Sequence, residues 1–357
     1  MRLFQKSRIL KIFRKLLFIS LAFAFHSCST DLDVNAPYRE TKVLYGILDP
    51  TLPFQTVRVG KGFLSEGRSA YDIAQNSPDS SLFNPDNLEV RLFELKLLST
   101  GRYDTTKRIL LYDTTLTGKD ANGDFYSPDQ LVFRTPLVQL DTNTRADLLK
   151  YLIRVKNKVS GKVSEAITNF PGKELTIRNW AAIGPNDKGP FSLDFGSRKK
   201  TSISINKSVN TAVLQLSLNW KLRVIKNNGD TTLETWKLSS QLENDITGDE
   251  KIFDFGAGSL WSFIRDELNA RGSENVVSRK FIPSEMEVFA GNRDYDNYRV
   301  VNGNYNPITQ SQPVYTNVSN GGLGIFCGRN KRTYTISLDR QVIDTLQVRF
   351  PEMKLIK

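Results

Sequence analysis

Short segments in which apolar and polar residues alternate recur along the chain, separated by turn-forming residues. Tyr151, Ile153 and Val155 fall on one side of such a segment, with Arg154 and Lys156 on the other. A period of two residues is typical of β-strands with one buried face. The pattern predicts strands at 42–48, 55–59, 88–95, 108–112, 130–134, 150–155 and 162–169. Short strands between frequent turns favour an immunoglobulin-like β-sandwich that ends near Pro171.

Beyond Pro171 the periodicity becomes mixed. Leu260, Phe263, Ile264 and Leu268 share one helical face between the N-cap candidate Ser259 and the stop residue Gly272, a spacing that predicts a helix. A second short helix is expected at 292–301, with Tyr295 and Tyr298 on one core-facing side. Strands are predicted at 211–225, 231–238, 281–290, 324–326, 333–338 and 342–348. We therefore expect a mainly β chain whose second part is an α+β domain with two short helices on an antiparallel sheet.

The N-terminus has the composition of an export signal. Six basic residues and no acidic ones occupy positions 1–15, and an apolar run follows at 16–25. A run of about ten residues is too short to cross a membrane, which takes about twenty. Phe25-His26-Ser27-Cys28 resembles a bacterial lipobox, in which the Cys is diacylated after cleavage, although Leu and a small residue usually stand where this chain has Phe25 and His26. The alternative is an ordinary secretory signal, because residues 22–24 have the small-x-small pattern of its cleavage site. Cleavage there would release a soluble protein.

These features predict four segments. Residues 1–27 form a lipoprotein signal peptide and 28–40 a linker after the lipidated Cys28, while 41–171 form the β-sandwich and 172–357 the α+β domain. Asp31 and Asp33 in the linker resemble the acidic surface-export signal of Bacteroidota lipoproteins, and a solvated linker is the other interpretation. Lipidation of Cys28 would attach the protein to a membrane through its N-terminus.

Two cysteines and one histidine restrict the possible chemistry. Cys28 and Cys327 cannot provide a disulfide framework, and we expect Cys327 to be a buried small hydrophobe. His26, the one histidine of the sequence, lies in the predicted signal, so removal of the signal would leave a mature chain without histidine. Such a chain lacks imidazole bases and zinc sites built from His and Cys. We therefore expect no enzyme activity, no cofactor and no metal. The alternative is a glycan-active enzyme with a carboxylate pair, for which 243–250 supplies candidates: Glu243, Asp245, Asp249 and Glu250.

Charge and loop composition add two further candidates. The formal net charge of +11 falls to about +5 without the signal, because six of the 49 basic residues lie there and 38 acidic residues remain. Basic clusters at 198–200 and 329–332 are expected to be solvated loops, or else to contact an anionic envelope partner, and nucleic acid is not expected. The Asp-Ala-Asn-Gly-Asp turn at 120–124 lacks the Gly and Glu of a calcium-binding EF-hand loop and predicts a hairpin turn.

Several short segments resemble one protein family. They are Val43–Pro50, Phe125–Pro128, Ser164–Thr168, Pro313–Val318 and Gly321–Phe326. They resemble uncharacterised Bacteroidota envelope lipoproteins built from one or two β-rich domains. The resemblance implies an accessory or binding protein of the outer membrane, often associated with TonB-dependent transporters, and it supplies no catalytic residues. The expected partners are the membrane, through the lipid, and an outer-membrane transporter or a glycan or peptide ligand. The resemblance is compatible with either face of the outer membrane, the periplasmic one or the cell surface. The glycines at 321–324 are expected to serve turns and close backbone packing.

Overall fold

The structure is a computed structural model that describes residues 40–62, 82–117, 130–178, 191–193, 200–240, 242–243, 248–303, 314–338 and 340–356. The predicted signal, residues 28–39 of the predicted linker with Cys28, Asp245 and the turn at 120–124 lie outside these residues. Among the described residues, no helix is both long and apolar enough to cross a membrane.

Seven strands form the first part of the fold. They are β1 (Lys42–Leu48), β2 (Thr56–Lys61), β3 (Leu88–Leu97), β4 (Tyr103–Leu116), β5 (Gln130–Arg134), β6 (Leu149–Asn157) and β7 (Val163–Thr168). Each corresponds to a predicted strand. β4 is much longer than the predicted 108–112. The sequence pattern does not indicate the two ends of this strand, because most of its side chains are exposed and its ends carry no apolar alternation.

The seven strands form two sheets that share β4. Hydrogen bonding is continuous in the order β1-β2-β5-β4-β3-β6-β7, and the division at β4 leaves β1-β2-β5-β4 in one sheet and β4-β3-β6-β7 in the other. β4 pairs with β3 through residues 103–111 and with β5 through residues 112–116. An immunoglobulin-like sandwich has the strand order A-B-E-D in one sheet and C-F-G in the other. Strands β1 to β7 follow this order as A to G. Strand β4 takes the place of D in the first sheet and also forms the edge of the second. The predicted fold class is therefore confirmed for this part of the chain.

The inward faces of the two sheets share one hydrophobic cluster. Val59, Phe133, Val90 and Ile153 are among its buried members. Tyr151, near the start of β6, is fully buried and donates a hydrogen bond from its hydroxyl to Glu94 Oε2 at 3.0 Å. The backbone of Asp141, ten residues upstream, also bonds this hydroxyl. A tyrosine at this place that bonds upstream backbone is a mark of immunoglobulin-like domains.

The second part contains nine strands and three helices among the described residues. The strands are β8 (Thr176–Ile177), β9 (Phe191–Leu193), β10 (Lys200–Asn206), β11 (Val213–Lys226), β12 (Thr231–Ser239), β13 (Glu250–Gly256), β14 (Val276–Gly291), β15 (Leu323–Leu338) and β16 (Leu355–Ile356). The helices are α1 (Ala257–Arg271), α2 (Arg293–Gly303) and α3 (Arg340–Arg349). An antiparallel sheet has the order β12-β11-β14-β15, and a smaller one has the order β13-β10-β8.

A second hydrophobic cluster fills the space between these sheets and two of the helices. Leu260, Ile264 and Leu268 of α1 are buried in it, as their predicted common face requires. Trp220 and Trp236, paired across β11 and β12, are almost completely buried. The α+β character and both predicted helices are confirmed.

Three expectations about the strands of the second part need correction. Residues 342–348 were predicted as a strand and form most of helix α3. Val342 and Leu346, four residues apart, are fully buried, whereas Val348 is 85% exposed, which is the pattern of a helix and not of a strand. The predicted strands at 324–326 and 333–338 are two parts of the single strand β15. The short sheet of β8, β10 and β13 was missed altogether, although Ile203 and Ile205 alternate with serines.

β15 connects the two parts of the fold. It runs antiparallel to β14 and parallel to β1, where Gly46 is paired with Phe326. The first hydrophobic cluster consists of residues up to Phe170 together with Val318 and Phe326. The second draws on residues from Leu175 onward. The division into separate domains at 171 stays a prediction.

Candidate functional site

An open groove lies on the outer side of the sandwich where β1 and β2 meet β15 and α2. Leu44 and Leu48 point into the sandwich, so the alternate residues Tyr45 and Ile47 point outward and are about two-fifths exposed. We call this site the tyrosine groove. Its volume is about 580 Å³, and it is lined by Tyr45, Gly46, Ile47, Leu52, Thr56, Arg58, Val132, Tyr295, Tyr298, Arg299, Ile325, Cys327 and Arg329.

Aliphatic and aromatic side chains make up most of the groove surface. Tyr45 and Tyr298 meet edge to face, with ring centroids 6.4 Å apart and an interplanar angle of 78°. Tyr295 packs on Phe289 of β14 at 5.5 Å. Burial raises the pKa of both Tyr295 and Tyr298, so their phenols stay neutral at physiological pH and act as hydrogen-bond donors or acceptors. An apolar concave surface with a few polar groups is the usual character of a binding site.

Three arginines lie around this surface. The guanidinium of Arg299 bonds Asp296 Oδ1 at 2.9 Å, and that of Arg329 bonds Asp49 Oδ2 at 2.7 Å. Arg58 is exposed on β2 and has no ion pair within the part of the chain that the structure describes. Among the described residues, Arg58 is therefore the groove arginine whose charge no carboxylate neutralises, and this uncompensated charge favours a ligand with an acidic group.

Cys327 forms part of the groove wall but is not a nucleophile there. Its side chain is buried, as the sequence predicted. Burial, followed by the negative charge of Asp294, raises the pKa of the thiol to about 12. The thiolate is the reactive form of cysteine, and it is not populated at neutral pH with such a pKa.

The carboxylates considered for glycan hydrolysis lie apart from the groove and bind basic residues. Glu243 pairs with Lys251 at 3.0 Å, and Glu250 pairs with Arg178 at 3.1 Å. The hydroxyl of Ser204 and the guanidinium of Arg178 lower the pKa of Glu250, whereas a general acid needs a raised one. Across the described residues, no group of three or more Asp, Glu, His or Cys side chains is arranged to hold a metal ion.

The basic cluster at 329–332 is largely neutralised or engaged. Lys331 pairs with Glu287 at 3.0 Å, in addition to the pairing of Arg329 with Asp49. Arg332 lies 5.2 Å above the ring of Tyr334. Arg198 and Lys199 of the other cluster lie outside the described residues.

A second hollow, at the C-terminal end of α1, is larger but polar. Its volume is about 860 Å³. The side chains along it bond locally: the amide of Asn227 donates to the Glu274 carbonyl at 3.2 Å, and that of Asn228 donates to Asp230 at 2.7 Å. The tyrosine groove, with its apolar surface and uncompensated arginine, is therefore the stronger candidate.

Comparisons with known proteins do not place the chain in a family. No family model matches it, and no curated protein matches it. Among solved structures, it is similar to CBD12 from CALX1.2, with a TM-score of 0.18 and 11% identity over 83% of this chain and 99% of that chain. It is also similar to the calcium-binding domain CBD12 of CALX1.1, with a TM-score of 0.17, 11% identity and the same coverage. TM-scores this low carry no argument about fold or function.

Proposed function

We propose that this protein is a lipid-anchored binding or accessory protein of the cell envelope, and that its partner occupies the tyrosine groove. The observation that carries the proposal is the groove itself, an open apolar surface with aromatic side chains and the uncompensated charge of Arg58. The anchor is the lipidated Cys28 expected from the sequence. The family resemblance supports an accessory role beside an outer-membrane transporter.

The chemistry of the groove favours a protein segment over a glycan. Ile47 and Leu52, each 40% exposed, offer aliphatic surface in the groove. Tyr45 and Tyr298 are nearly perpendicular to each other and do not form a flat platform for a sugar ring. A peptide with an aliphatic or aromatic side chain beside an acidic residue would bury its apolar group among the tyrosines and pair its carboxylate with Arg58.

Site-specific cross-linking in the native envelope tests this proposal. A photoreactive benzoylphenylalanine replaces Ile47 in the groove or, as a control, Leu233, which is 72% exposed on β12. We expect a defined adduct from position 47 that position 233 does not give. Adding Arg58→Glu, which reverses the charge without touching the hydrophobic core, should strongly reduce the adduct. Identical adducts at both positions, or an adduct indifferent to Arg58→Glu, would contradict binding in the groove.

The anchor requires a separate measurement. Mass spectrometry of the mature N-terminus extracted from membranes should find diacylated Cys28, and Cys28→Ala should release the protein from the membrane fraction. An unmodified N-terminus near Phe25 would instead indicate a soluble secreted binding protein. Protease treatment of intact cells then distinguishes the surface from the periplasmic face.

A further inference from the structure

The described chain enters the sandwich beside the turn between β6 and β7. Glu40 Oε1 accepts hydrogen bonds from Lys42 Nζ at 2.9 Å and from Asn157 Nδ2 at 3.2 Å. The side chain of Ser160, within the turn, also bonds Glu40. These contacts place the point where the preceding segment joins the fold at this end of the sandwich.

The same turn presents lysines around an exposed apolar tip. Lys156, Lys158 and Lys162 are exposed, and Val159 between them is 76% exposed. We call these four residues the basic turn. The backbone holds it in place, because Asn157 N–H donates to the Lys162 carbonyl at 2.9 Å and Gly161 N–H to the Asn157 carbonyl at 2.9 Å. The lysines are thus carried by a short, hydrogen-bonded hairpin.

Nearby carboxylates compensate only part of this charge. Glu40 is paired with Lys42 at 2.9 Å, and Glu89 is paired with Arg91 at 3.0 Å. Asp86 is exposed, and its backbone carbonyl accepts from Lys158 Nζ at 2.7 Å. Among the described residues, three lysines of the basic turn therefore face one remaining carboxylate, and the described part of this end of the sandwich has a positive surface.

We propose that the basic turn docks on the anionic headgroups of the membrane that holds Cys28. This inference rests on the lipid anchor of the proposed function. Cys28 lies twelve residues before Glu40, a segment that spans at most about 40 Å when extended. The tether keeps the turn within reach of the headgroups, and each lysine near an anionic surface strengthens binding about fivefold. Val159 adds an apolar tip that fits the interface.

Docking in this way orients the sandwich. The turn that follows β1 contains Leu52 and lies at the opposite end of that strand from Glu40. Because the tyrosine groove extends to Leu52, it would stay accessible to a partner while the basic turn contacts the lipid. The hairpin turn between β3 and β4, with Leu98 44% exposed, is also at the far end.

The test measures which end of the protein touches the lipid. A hexahistidine segment replaces residues 1–27 and tethers the chain to nickel-chelating vesicles, with Cys28→Ser. A fluorescent dye is attached through Val159→Cys or, as a control, through Leu98→Cys, and the buried Cys327 stays unlabelled. The vesicles consist of phosphatidylcholine with or without phosphatidylglycerol, and a quencher is attached to the headgroups.

We expect quenching of the dye at position 159, but not at position 98, on vesicles that contain phosphatidylglycerol. The variant K156Q/K158Q/K162Q should lower the ratio of docked to undocked protein on the order of 100-fold. The exposed lysines of the control variant K237Q/K280Q lie in the other part of the fold, and their loss should leave the ratio unchanged.

Three results would overturn the proposal: equal quenching on neutral and anionic vesicles, quenching that survives the triple substitution, or stronger quenching at position 98. Because the vesicles supply their own tether, the outcome does not depend on natural acylation of Cys28. A failure of the anchor would appear separately, as an unmodified N-terminus in native membranes.

Discussion

Replacing Gly324 with alanine tests how closely β15 and β1 must approach. Gly324 has φ of +100° and is paired with Leu44 across the parallel ladder. A Cβ atom at this position would lie 2.0 Å from the Leu44 carbonyl oxygen, a distance that no packed structure tolerates. Alanine would therefore have to separate the two strands or change the backbone of β15.

Two costs contribute, and the chain offers a control for each. A side chain at positive φ costs about 1–3 kcal/mol. Forcing extra volume into a packed site costs about 1–3 kcal/mol more. Gly101, at φ +79° with no atom within 4 Å, isolates the first cost. At Gly328 a Cβ would lie 2.0 Å from the Asn169 carbonyl oxygen with no positive φ, which isolates the second.

The assay is urea denaturation, followed by the fluorescence of the buried tryptophans and by circular dichroism. We expect Gly101→Ala to lower the free energy of unfolding by about 1 kcal/mol and Gly324→Ala by about 2–6 kcal/mol, a large share of a typical 5–15 kcal/mol. Gly328→Ala should fall between them. A loss for Gly324→Ala no greater than that for Gly101→Ala would refute the close approach of β1 and β15.

Other substitutions test the sandwich core and a buried arginine of the second part. Ile153→Ala, in the sandwich core, should cost about 2–5 kcal/mol by calorimetry, and the half-exposed Ile167→Ala much less; equal losses would contradict the assigned faces of β6 and β7. Arg279 is fully buried and bonds the carbonyls of Gly272 and Met353, so Arg279→Ala should cost about 3–5 kcal/mol. The partly exposed Arg271→Ala should cost about 1 kcal/mol or less, as measured by urea denaturation.

Cys327 provides the two remaining predictions. A thiol reagent at pH 8 should modify it only after unfolding, and rapid modification of the folded chain would contradict its burial. The pKa of the Cys327 thiol is about 12 in the folded chain and 9.0 in the unfolded chain. Burial of the protonated thiol therefore stabilises the fold fully below pH 9, and this stabilisation is lost as the pH rises toward 12. Cys327→Ala should therefore weaken the decline of stability between pH 9 and 11.

Candidate chemistry was only partly predictable from the sequence. The spacing of Tyr295 and Tyr298 correctly placed both on one helical face, which we expected to be core. They are half-buried instead and line the groove together with Tyr45, about 250 residues earlier in the chain. No local sequence pattern indicates that these three tyrosines lie in one groove, since their proximity depends on how β1 pairs with β15. The strand predicted at 42–48 is present, and the structure shows that its outward-facing residues include Tyr45 and Ile47.

The sequence by itself determined where most strands and two helices form, because burial of one face imposes a local period that can be counted. Tertiary structure decided what that period leaves open. Residues 342–348 became a helix because Val342 and Leu346 fit the second cluster, and β-branched residues did not prevent it. The parallel pairing of β1 with β15, which positions the tyrosine groove, joins segments some 280 residues apart. It depends on Gly46 and Gly324 leaving room for Phe326 and the backbone of Leu44, a complementarity that exists only once both segments are folded.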